Sequence, residues 1–276
     1  MAIRLGTIGA FGFDEFPPHL TLPCYRDLGA KTIQAFRRHG SGVSAETIST
    51  LCRKLELHIR AIHASFEAPL DLTAPDRQVR RETLATLAED AAWAERMQAR
   101  FMVVHPSPPF EDTSRLPDPR DEHDRAQRFP DCLKALLPIA EKHHLTLLIE
   151  NMPPYHPFGR RIVDMATLVR HFDSPHIRLC LDTGHLNIVG SPLPQIEKVL
   201  DLVCDVHLSD NDGTSDDHLL PFKGTFPWDA FAELLHRRNY TGSLTMEIFF
   251  TPEQLRAQFT DPYRRKIHSL LVPETT

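Results

Sequence analysis

The sequence has no long hydrophobic run, and no apolar stretch approaches the roughly 18 residues that a membrane-spanning helix needs. Its first residues, Met1-Ala-Ile-Arg-Leu-Gly6, also lack the apolar core of a secretory signal peptide. We therefore expect no membrane partner and predict a cytoplasmic protein.

Cysteine is scarce and shows no pairing pattern. The chain has 5 cysteines in 276 residues, an odd number, widely scattered and without a CxxC spacing. Disulfide frameworks are typical of short secreted chains with an even set of cysteines. We therefore expect reduced thiols.

An excess of basic residues is also missing. Asp and Glu number 37 against 31 Lys and Arg, which gives a formal net charge of −6. Proteins that bind nucleic acid usually present a stripe of Lys and Arg. The composition argues against a nucleic-acid partner.

What the chain does have is an alternation of strand-like and helix-like segments. Eight strands are predicted at Ile3–Ile8, Thr32–Phe36, Ile59–Ala64, Phe101–His105, Leu145–Glu150, Ile177–Asp182, Leu202–Leu208 and Ser243–Phe249. Such alternation is typical of βαβ units around a parallel sheet. We predict an α/β protein with a single (β/α)8 TIM barrel domain over residues 1–276.

The segments between these strands carry helical patterns. Ser44 is predicted to cap a helix that reaches about Leu55. Further helices are predicted at Asp76–Gln98, Ala126–His143, Met165–Phe172, Pro194–Leu200, Trp228–Arg237 and Pro252–Leu271. Pro138 is expected to kink or break the helix that contains it.

Six of the predicted strands end on a side chain that can bind a metal or transfer a proton. These residues are His63, His105, Glu150, Asp182, His207 and Glu247. The carboxyl ends of parallel barrel strands meet at one rim, which is where barrel enzymes carry their active sites. The pattern predicts a metalloenzyme.

Four of the six form the strongest candidate metal site: Glu150, Asp182, His207 and Glu247. Three carboxylates and one imidazole suit Mn²⁺ best, with Mg²⁺, Co²⁺ or Zn²⁺ as alternatives.

Other candidate ligands follow the same strands. In Asp182-Thr-Gly-His185 the glycine is expected to permit a sharp turn that presents two ligands from one corner. The Asp216-x-His218 spacing lets both side chains reach one ion. With His63 and His105, these residues complete a set of nine potential ligands.

The order and spacing of these motifs resemble the xylose isomerase-like barrels, which comprise sugar isomerases and epimerases and, more distantly, endonuclease IV. The likeness runs from His63 to Glu247 through His63-Ala-Ser-Phe66, Val104-His-Pro106, Ile149-Glu-Asn151, Leu181-Asp-Thr-Gly-His185, Val206-His-Leu-Ser-Asp-Asn-Asp-Gly213, Asp217-His-Leu219 and Thr245-Met-Glu247.

The resemblance implies roles for these residues. In the epimerase-like members, positions matching Glu150, Asp182, His207 and Glu247 hold one divalent ion, the two glutamates serve as acid and base, and a histidine like His185 contacts the substrate. In the endonuclease-like members, positions matching His63, His105, His185, Asp216 and His218 complete a three-zinc site.

One departure from the family pattern concerns the loop after Asp216-x-His218. Lys223 stands where relatives commonly carry glutamate, and it could bind an anionic group of the substrate. Phe66 and Trp228 are candidates for stacking on the apolar face of a sugar.

The first functional hypothesis is a metal-dependent isomerase or epimerase of a small ketose, keto-sugar or polyol-derived substrate. Such an enzyme removes a proton next to a carbonyl and stabilises the enediolate. A keto-sugar lyase or dehydratase begins with the same step. The alternatives are an endonuclease IV-like trinuclear zinc phosphodiesterase acting on abasic DNA, and a barrel that only binds. Exposed barrel helices would also allow a homo-oligomer.

Overall fold

A computed structural model of the protein describes residues 3–38 and 40–272. Eight parallel strands close into a barrel in the order β1 to β8. The strands are β1 (Arg4–Phe11), β2 (Thr32–Arg37), β3 (His58–His63), β4 (Phe101–Val104), β5 (Thr146–Glu150), β6 (Ile177–Asp182), β7 (Val203–Leu208) and β8 (Ser243–Met246). The predicted TIM barrel is confirmed.

The helices pack on the outside of this barrel. They are α1 (Pro18–Leu28), α2 (Ala45–Lys54), α3 (Arg77–Arg96), α4 (Pro119–Lys142), α5 (Ile162–Phe172), α6 (Thr183–Val189), α7 (Pro192–Val199), α8 (Trp228–Arg237), α9 (Pro252–Gln258) and α10 (Asp261–Leu271). Within residues 3–38 and 40–272, none of them has the length and apolar character required to span a bilayer.

Alternation along each strand separates the interior of the barrel from its helix-facing exterior. Leu147 and Leu179 belong to the large core that the strands share with the helices. Leu148 and Cys180, their neighbours in sequence, belong to a separate small cluster. Since successive side chains of a strand point to opposite faces, this second cluster fills the interior of the barrel.

Proline interrupts α4 less than we predicted. The helix begins at Pro119 rather than Ala126, and it continues through Pro130 and Pro138 to Lys142. Packing outweighs the hydrogen bonds that these prolines remove, because one face of the helix is fully buried at Phe129, Leu133, Leu136 and Ala140.

Helix α1 was not predicted, since it contains Pro23 in its interior, where proline is unfavourable. Buried Leu22 and Leu28 hold it against the barrel. The helix predicted at Pro252–Leu271 is divided into α9 and α10, because a new helix starts at Asp261 with a proline in its first turn, where proline is tolerated.

Strand β8 ends at Met246 rather than Phe249, so Glu247 lies just beyond the strand. The Glu247 backbone N–H still donates to the Leu208 carbonyl oxygen, at 3.1 Å. This bond holds the residue beside the end of β7.

A buried ion pair fixes the loop that follows β3. The Arg125 guanidinium of α4 donates to Asp71 Oδ2 at 2.7 Å and to Thr73 Oγ1 at 2.9 Å. Thr73 Oγ1 donates in turn to the carbonyl oxygen of Pro106, at 3.2 Å. The ion pair therefore connects α4 to the loops after β3 and β4.

Replacing Arg125 with methionine is expected to lower the free energy of unfolding by about 3–5 kcal/mol, because it leaves the buried Asp71 carboxylate without its charge partner. Urea denaturation measures the change. The control is Arg170→Met, which breaks the exposed pair with Asp201 and should cost at most about 1 kcal/mol. Equal losses in the two variants would contradict the prediction.

Candidate active site

The alternation of the strands brings the predicted site residues into the barrel at its carboxyl-terminal mouth. Glu150 lies two positions after Leu148, and Asp182 lies two positions after Cys180, so both point to the interior. Asp182 pairs in register with His207 of β7. The chain thus places acids and an imidazole together at one end of the barrel.

The four predicted metal ligands form one compact cluster. Atoms of Glu150, Asp182, His207 and Glu247 lie within 4.8 Å of one another, and all four residues are buried. The Nδ1 atom of His207 lies 3.1 Å from Glu150 Oε1, 2.9 Å from Glu247 Oε2 and 4.0 Å from Asp182 Oδ2. Ligands of an octahedral divalent ion at about 2.1 Å lie roughly 3 Å apart, so these spacings suit a shared cation.

An unpartnered atom supports that fit. Asp182 Oδ2 is buried and has no hydrogen-bond partner among the described residues. The other carboxylate oxygen, Oδ1, accepts from the backbone N–H of His185 at 2.7 Å, which fixes the carboxylate at the start of α6. Buried polar atoms are rarely left unpaired. A cation beside Oδ2 would satisfy it.

A hydrogen bond with Gln34 sets the orientation of the His207 ring. Its Nε2 lies 3.2 Å from Gln34 Oε1, which can only accept, so Nε2–H donates and Nδ1 faces the carboxylates. Burial lowers the pKa of His207, but the nearby Cys180, Glu247 and Glu150 raise it well above its ordinary value. A cation at this point would take the place of the Nδ1 proton.

The ionised forms of these carboxylates are stabilised only by nearby positive charge. Burial raises the pKa of Asp182 to about 7, and the repulsion of Glu247 and Glu150 adds to this effect. Burial also raises the pKa of Glu247, but His207 outweighs it and brings that pKa down to about 2. Three acids packed this closely are stable only with a compensating cation, whether a proton or a metal.

A second group lies on the other side of Glu150. Its Oε2 atom is 3.1 Å from His105 Nε2 and 3.5 Å from His63 Nε2. His63 Nδ1–H donates to the Ala64 carbonyl oxygen at 2.9 Å, which leaves Nε2 with a lone pair toward the carboxylate. Burial lowers the pKa of His105. The two imidazoles and the carboxylate could hold a second cation.

The remaining predicted ligands, His185 and His218, both contact Asp216. Its Oδ2 atom lies 3.2 Å from His185 Nε2 and 3.4 Å from His218 Nε2, and it accepts from Tyr155 Oη at 2.9 Å. His185 is oriented by the carbonyl oxygen of Asn151, 2.7 Å from its Nδ1. Asp216 Oδ1 is buried without a hydrogen-bond partner among the described residues.

A cavity of about 160 Å³ opens above these groups. One side is polar and includes the two glutamates and the predicted histidines. The other side is apolar and formed by Ile8, Phe36, Phe66 and Phe249. No Lys or Arg lines the cavity in the part of the chain that the structure describes. The volume is well below the 300–1,000 Å³ or so of pockets for drug-sized ligands, so it limits a ligand to a small molecule.

Of the three predicted substrate contacts, one lines the cavity and two do not. Phe66 lines the cavity, where its ring lies 4.5 Å from that of His105. Trp228 does not line it, because its Nε1–H donates to Asp210 Oδ2 at 2.7 Å and its ring packs among buried aromatics. Lys223 is exposed and does not line the cavity either. Substrate roles for Trp228 and Lys223 do not agree with these positions.

Two site residues were missed by sequence reasoning. Gln34 is the single amide within the buried strand β2, and a polar residue at an interior-facing strand position was the available signal. His156 lines the cavity from the loop after β5, with Nδ1 2.8 Å from the Ser107 carbonyl oxygen. Burial lowers its pKa to about 3, so its imidazole is neutral.

Gly184 has a different role from the one we predicted. Asp182 caps α6, and Gly184 lies inside that helix rather than in a flexible turn. The reason for a glycine is close packing: a Cβ atom there would lie 2.4 Å from Ser209 Oγ and 3.1 Å from Asn211 Nδ2. Helix α6 is thereby pressed against the loop after β7.

Gly184→Ala is therefore expected to destabilise the fold by about 1–3 kcal/mol through overpacking. The matched test is the double variant Gly184→Ala with Ser209→Ala, which removes the clashing hydroxyl and should recover about half of that loss or more. Thermal unfolding of the two single variants and the double variant measures the coupling. Strictly additive losses would show that the Ser209 contact is not the cause.

The family model for the xylose isomerase-like TIM barrel matches residues 25–262. The chain belongs to this family. Among curated relatives, an uncharacterized protein of Methanocaldococcus jannaschii is 25% identical over 67% of this chain and 63% of its own length. A D-psicose 3-epimerase of Enterocloster bolteae is 30% identical over 46% of this chain and 40% of its own length.

The chain thus spans less than two thirds of these curated relatives. Among solved structures of this fold, a D-tagatose 3-epimerase-like protein superposes with a TM-score of 0.78 at 18% identity, covering 97% of this chain and 98% of that one. At this identity the likeness shows the barrel fold alone.

Proposed function

We propose that the protein is a divalent-metal-dependent isomerase or epimerase of a small ketose or keto-sugar. The observation that carries the proposal is the placement of Glu150 Oε1 and Glu247 Oε2 within 3.1 Å of one His207 nitrogen at the base of a sugar-sized cavity. Epimerase names among the similar proteins support the same reaction class.

Glu150, Asp182, His207 and Glu247 would hold the cation. When bound, it would act as a Lewis acid toward the substrate oxygens. Glu150 and Glu247 project from non-adjacent parts of the barrel rim, at the ends of β5 and β8. One carboxylate would take the proton from carbon next to the carbonyl, and the other would return it, each contributing about 10²–10⁴-fold.

The surrounding side chains would position the sugar. Phe36, Phe66 and Phe249 present an apolar wall against which the C–H face of a sugar can pack. His185 and His156 on the polar side can hydrogen-bond its hydroxyl groups. Because no Lys or Arg of the described residues lines the cavity, we propose a substrate without a phosphate group.

An endonuclease IV-like zinc phosphodiesterase is the second candidate. It is favoured by the His63–His105–Glu150 group and by the contacts of Asp216 with His185 and His218. The cavity lining argues against it, because a DNA backbone would meet carboxylates and aromatic rings instead of basic side chains. A keto-sugar lyase would use the same proton abstraction.

The test combines metal analysis with isotope exchange. We expect about one tightly bound divalent ion per chain and uptake of solvent deuterium into at least one member of a panel of free ketoses. A parallel assay offers a duplex with an abasic site. Three bound zinc ions with strand cleavage, and no deuterium in any ketose, would replace the first proposal by the second.

A further inference from the structure

A groove with four arginines lies on the outside of the barrel between α3 and α4. We call it the arginine groove and define it by Arg77, Arg80, Arg81 and Arg128, with Asp131 and Leu84 beside them. Its volume is about 310 Å³. It shares no lining residue with the cavity at the barrel mouth, so it is a separate feature of the molecule.

The charge of this groove is not balanced by neighbouring acids. Among the described residues, no carboxylate lies within 4.0 Å of Arg77, Arg80 or Arg81. Arg128 approaches only Asp121, at 3.9 Å, and that carboxylate is already bound by Arg125 at 2.9 Å. The one acid of the groove, Asp131, pairs with Lys134 at 3.0 Å. Such an accumulation of positive charge is unexpected in a protein of net charge −6.

Three of these arginines lie at the amino end of α3, where their positive charge is electrostatically unfavourable. Arg77, Arg80 and Arg81 fall within the first five residues of the helix, where the one acid is the cap residue Asp76, whose carboxylate already accepts from the Gln78 backbone N–H at 2.7 Å. The amino end of a helix carries the positive pole of the helix dipole and favours acidic groups. A bound anion would offset both the dipole and the guanidinium charges. Local rules of this kind are most often broken at functional sites.

Two of the arginines are held in place by the loop after β3. Arg80 Nη1 donates to the carbonyl oxygens of Ala74 and Pro75, at 2.5 and 2.9 Å, and Arg128 Nε donates to that of Thr73, at 2.9 Å. A guanidinium has five N–H donors. Each of these two groups is therefore fixed while retaining donors for a ligand.

The other two arginines are exposed. Among the described residues, Arg81 donates to Gln78 Oε1 at 2.8 Å, and Arg77 adds a fourth guanidinium at the same helix end. Because neither is tied to the loop after β3, both are free to close on a ligand.

We propose that the arginine groove binds a small molecule with a diphosphate group, such as a nucleoside diphosphate. Guanidinium groups bind phosphate oxygens in pairs, and four of them exceed the need of a single phosphate. Leu84 and Ala135 provide an apolar surface for a base or another nonpolar body. The volume lies at the lower end of the 300–1,000 Å³ or so of small-molecule pockets, whereas a polynucleotide needs an extended basic stripe.

Calorimetric titration of the full-length protein with pyrophosphate, ADP and AMP tests the proposal. We expect one site that binds pyrophosphate and ADP more tightly than AMP and that weakens as salt is added. The double variant Arg77→Gln with Arg81→Gln leaves the loop contacts of Arg80 and Arg128 in place. It should weaken ADP binding by about 10- to 100-fold.

The matched control is Arg53→Gln with Arg96→Gln, which removes the same charge from exposed positions outside the groove and should bind ADP as the unmodified protein does. Three results would overturn the proposal: no binding of ADP or pyrophosphate, unchanged binding in the groove variant, or tighter binding of a single-stranded oligonucleotide that the groove variant also loses. None of these measurements depends on the reaction at the barrel mouth.

Discussion

Glu247→Gln is expected to lower kcat by about 10²–10⁴-fold toward whichever ketose the protein turns over, and Glu150→Gln should have a loss of the same order. Glutamine keeps the shape of the side chain, but it cannot accept a proton at neutral pH. Both carboxylates lie beside His207 Nδ1, at 2.9 and 3.1 Å for Glu247 and Glu150, where they would face the bound substrate. Steady-state kinetics and solvent deuterium uptake measure the effect.

The control for this prediction is Glu253→Gln, at an exposed glutamate of α9 that pairs with Arg256. Its activity should match that of the unmodified protein. Metal content must be measured in each variant, because Glu150 and Glu247 are also candidate ligands. A Glu247→Gln protein that retains its metal and more than about a tenth of its turnover would refute the proposed acid–base role.

Removal of divalent metal by a chelator is expected to lower the thermal midpoint by roughly 5–10 °C. At a metal concentration 100 times its Kd, binding stabilises the folded state by about 2.7 kcal/mol, and a chain of this size gains about 2–4 °C per kcal/mol. The structural reason is the cost of Asp182, Glu150 and Glu247 lying together in a buried site. Differential scanning fluorimetry with added Mn²⁺ measures the shift.

Asp182→Asn provides the matched variant for the metal response. Asparagine can still accept from the His185 backbone N–H and cap α6, but it lacks the charge that would attract a cation. The variant should lose most of the shift. Asp118→Asn, at the cap of α4, changes the same residue type away from the site and should keep it. A shift of equal size in both variants would place the bound metal elsewhere.

Strand periodicity explains why much of the site could be predicted from the sequence. Glu150, Asp182 and His207 each close a recognisable apolar run, and parallel strands bring such ends to one rim. No knowledge of loop conformation is needed for that inference. It is incomplete for Gln34: a polar residue within a strand can indicate an interior-facing position, but its distance from the barrel mouth is known only from the register of β2 with β1 and β3.

Loop residues were less predictable, because tertiary contacts decide where they point. Trp228 was a candidate for stacking on a sugar because it lies in a loop after a strand. In the structure its indole N–H donates to Asp210, and this bond holds the ring away from the cavity. Pro138 carries a strong local signal against helix, and the buried face of α4 overrides it. Neither the Trp228–Asp210 hydrogen bond nor the burial of α4 can be read from a short stretch of sequence.

The two oxygens of Glu150 face different neighbours, since Oε1 points to His207 and Oε2 to His105 and His63. This one carboxylate therefore lies between two groups of imidazoles. A cation held by Glu150, Asp182, His207 and Glu247 would draw electron density from this carboxylate and so weaken Oε2 as a partner of His105. The ¹⁵N resonance of that imidazole would therefore report whether the four-ligand site is occupied, although His105 is not one of its ligands.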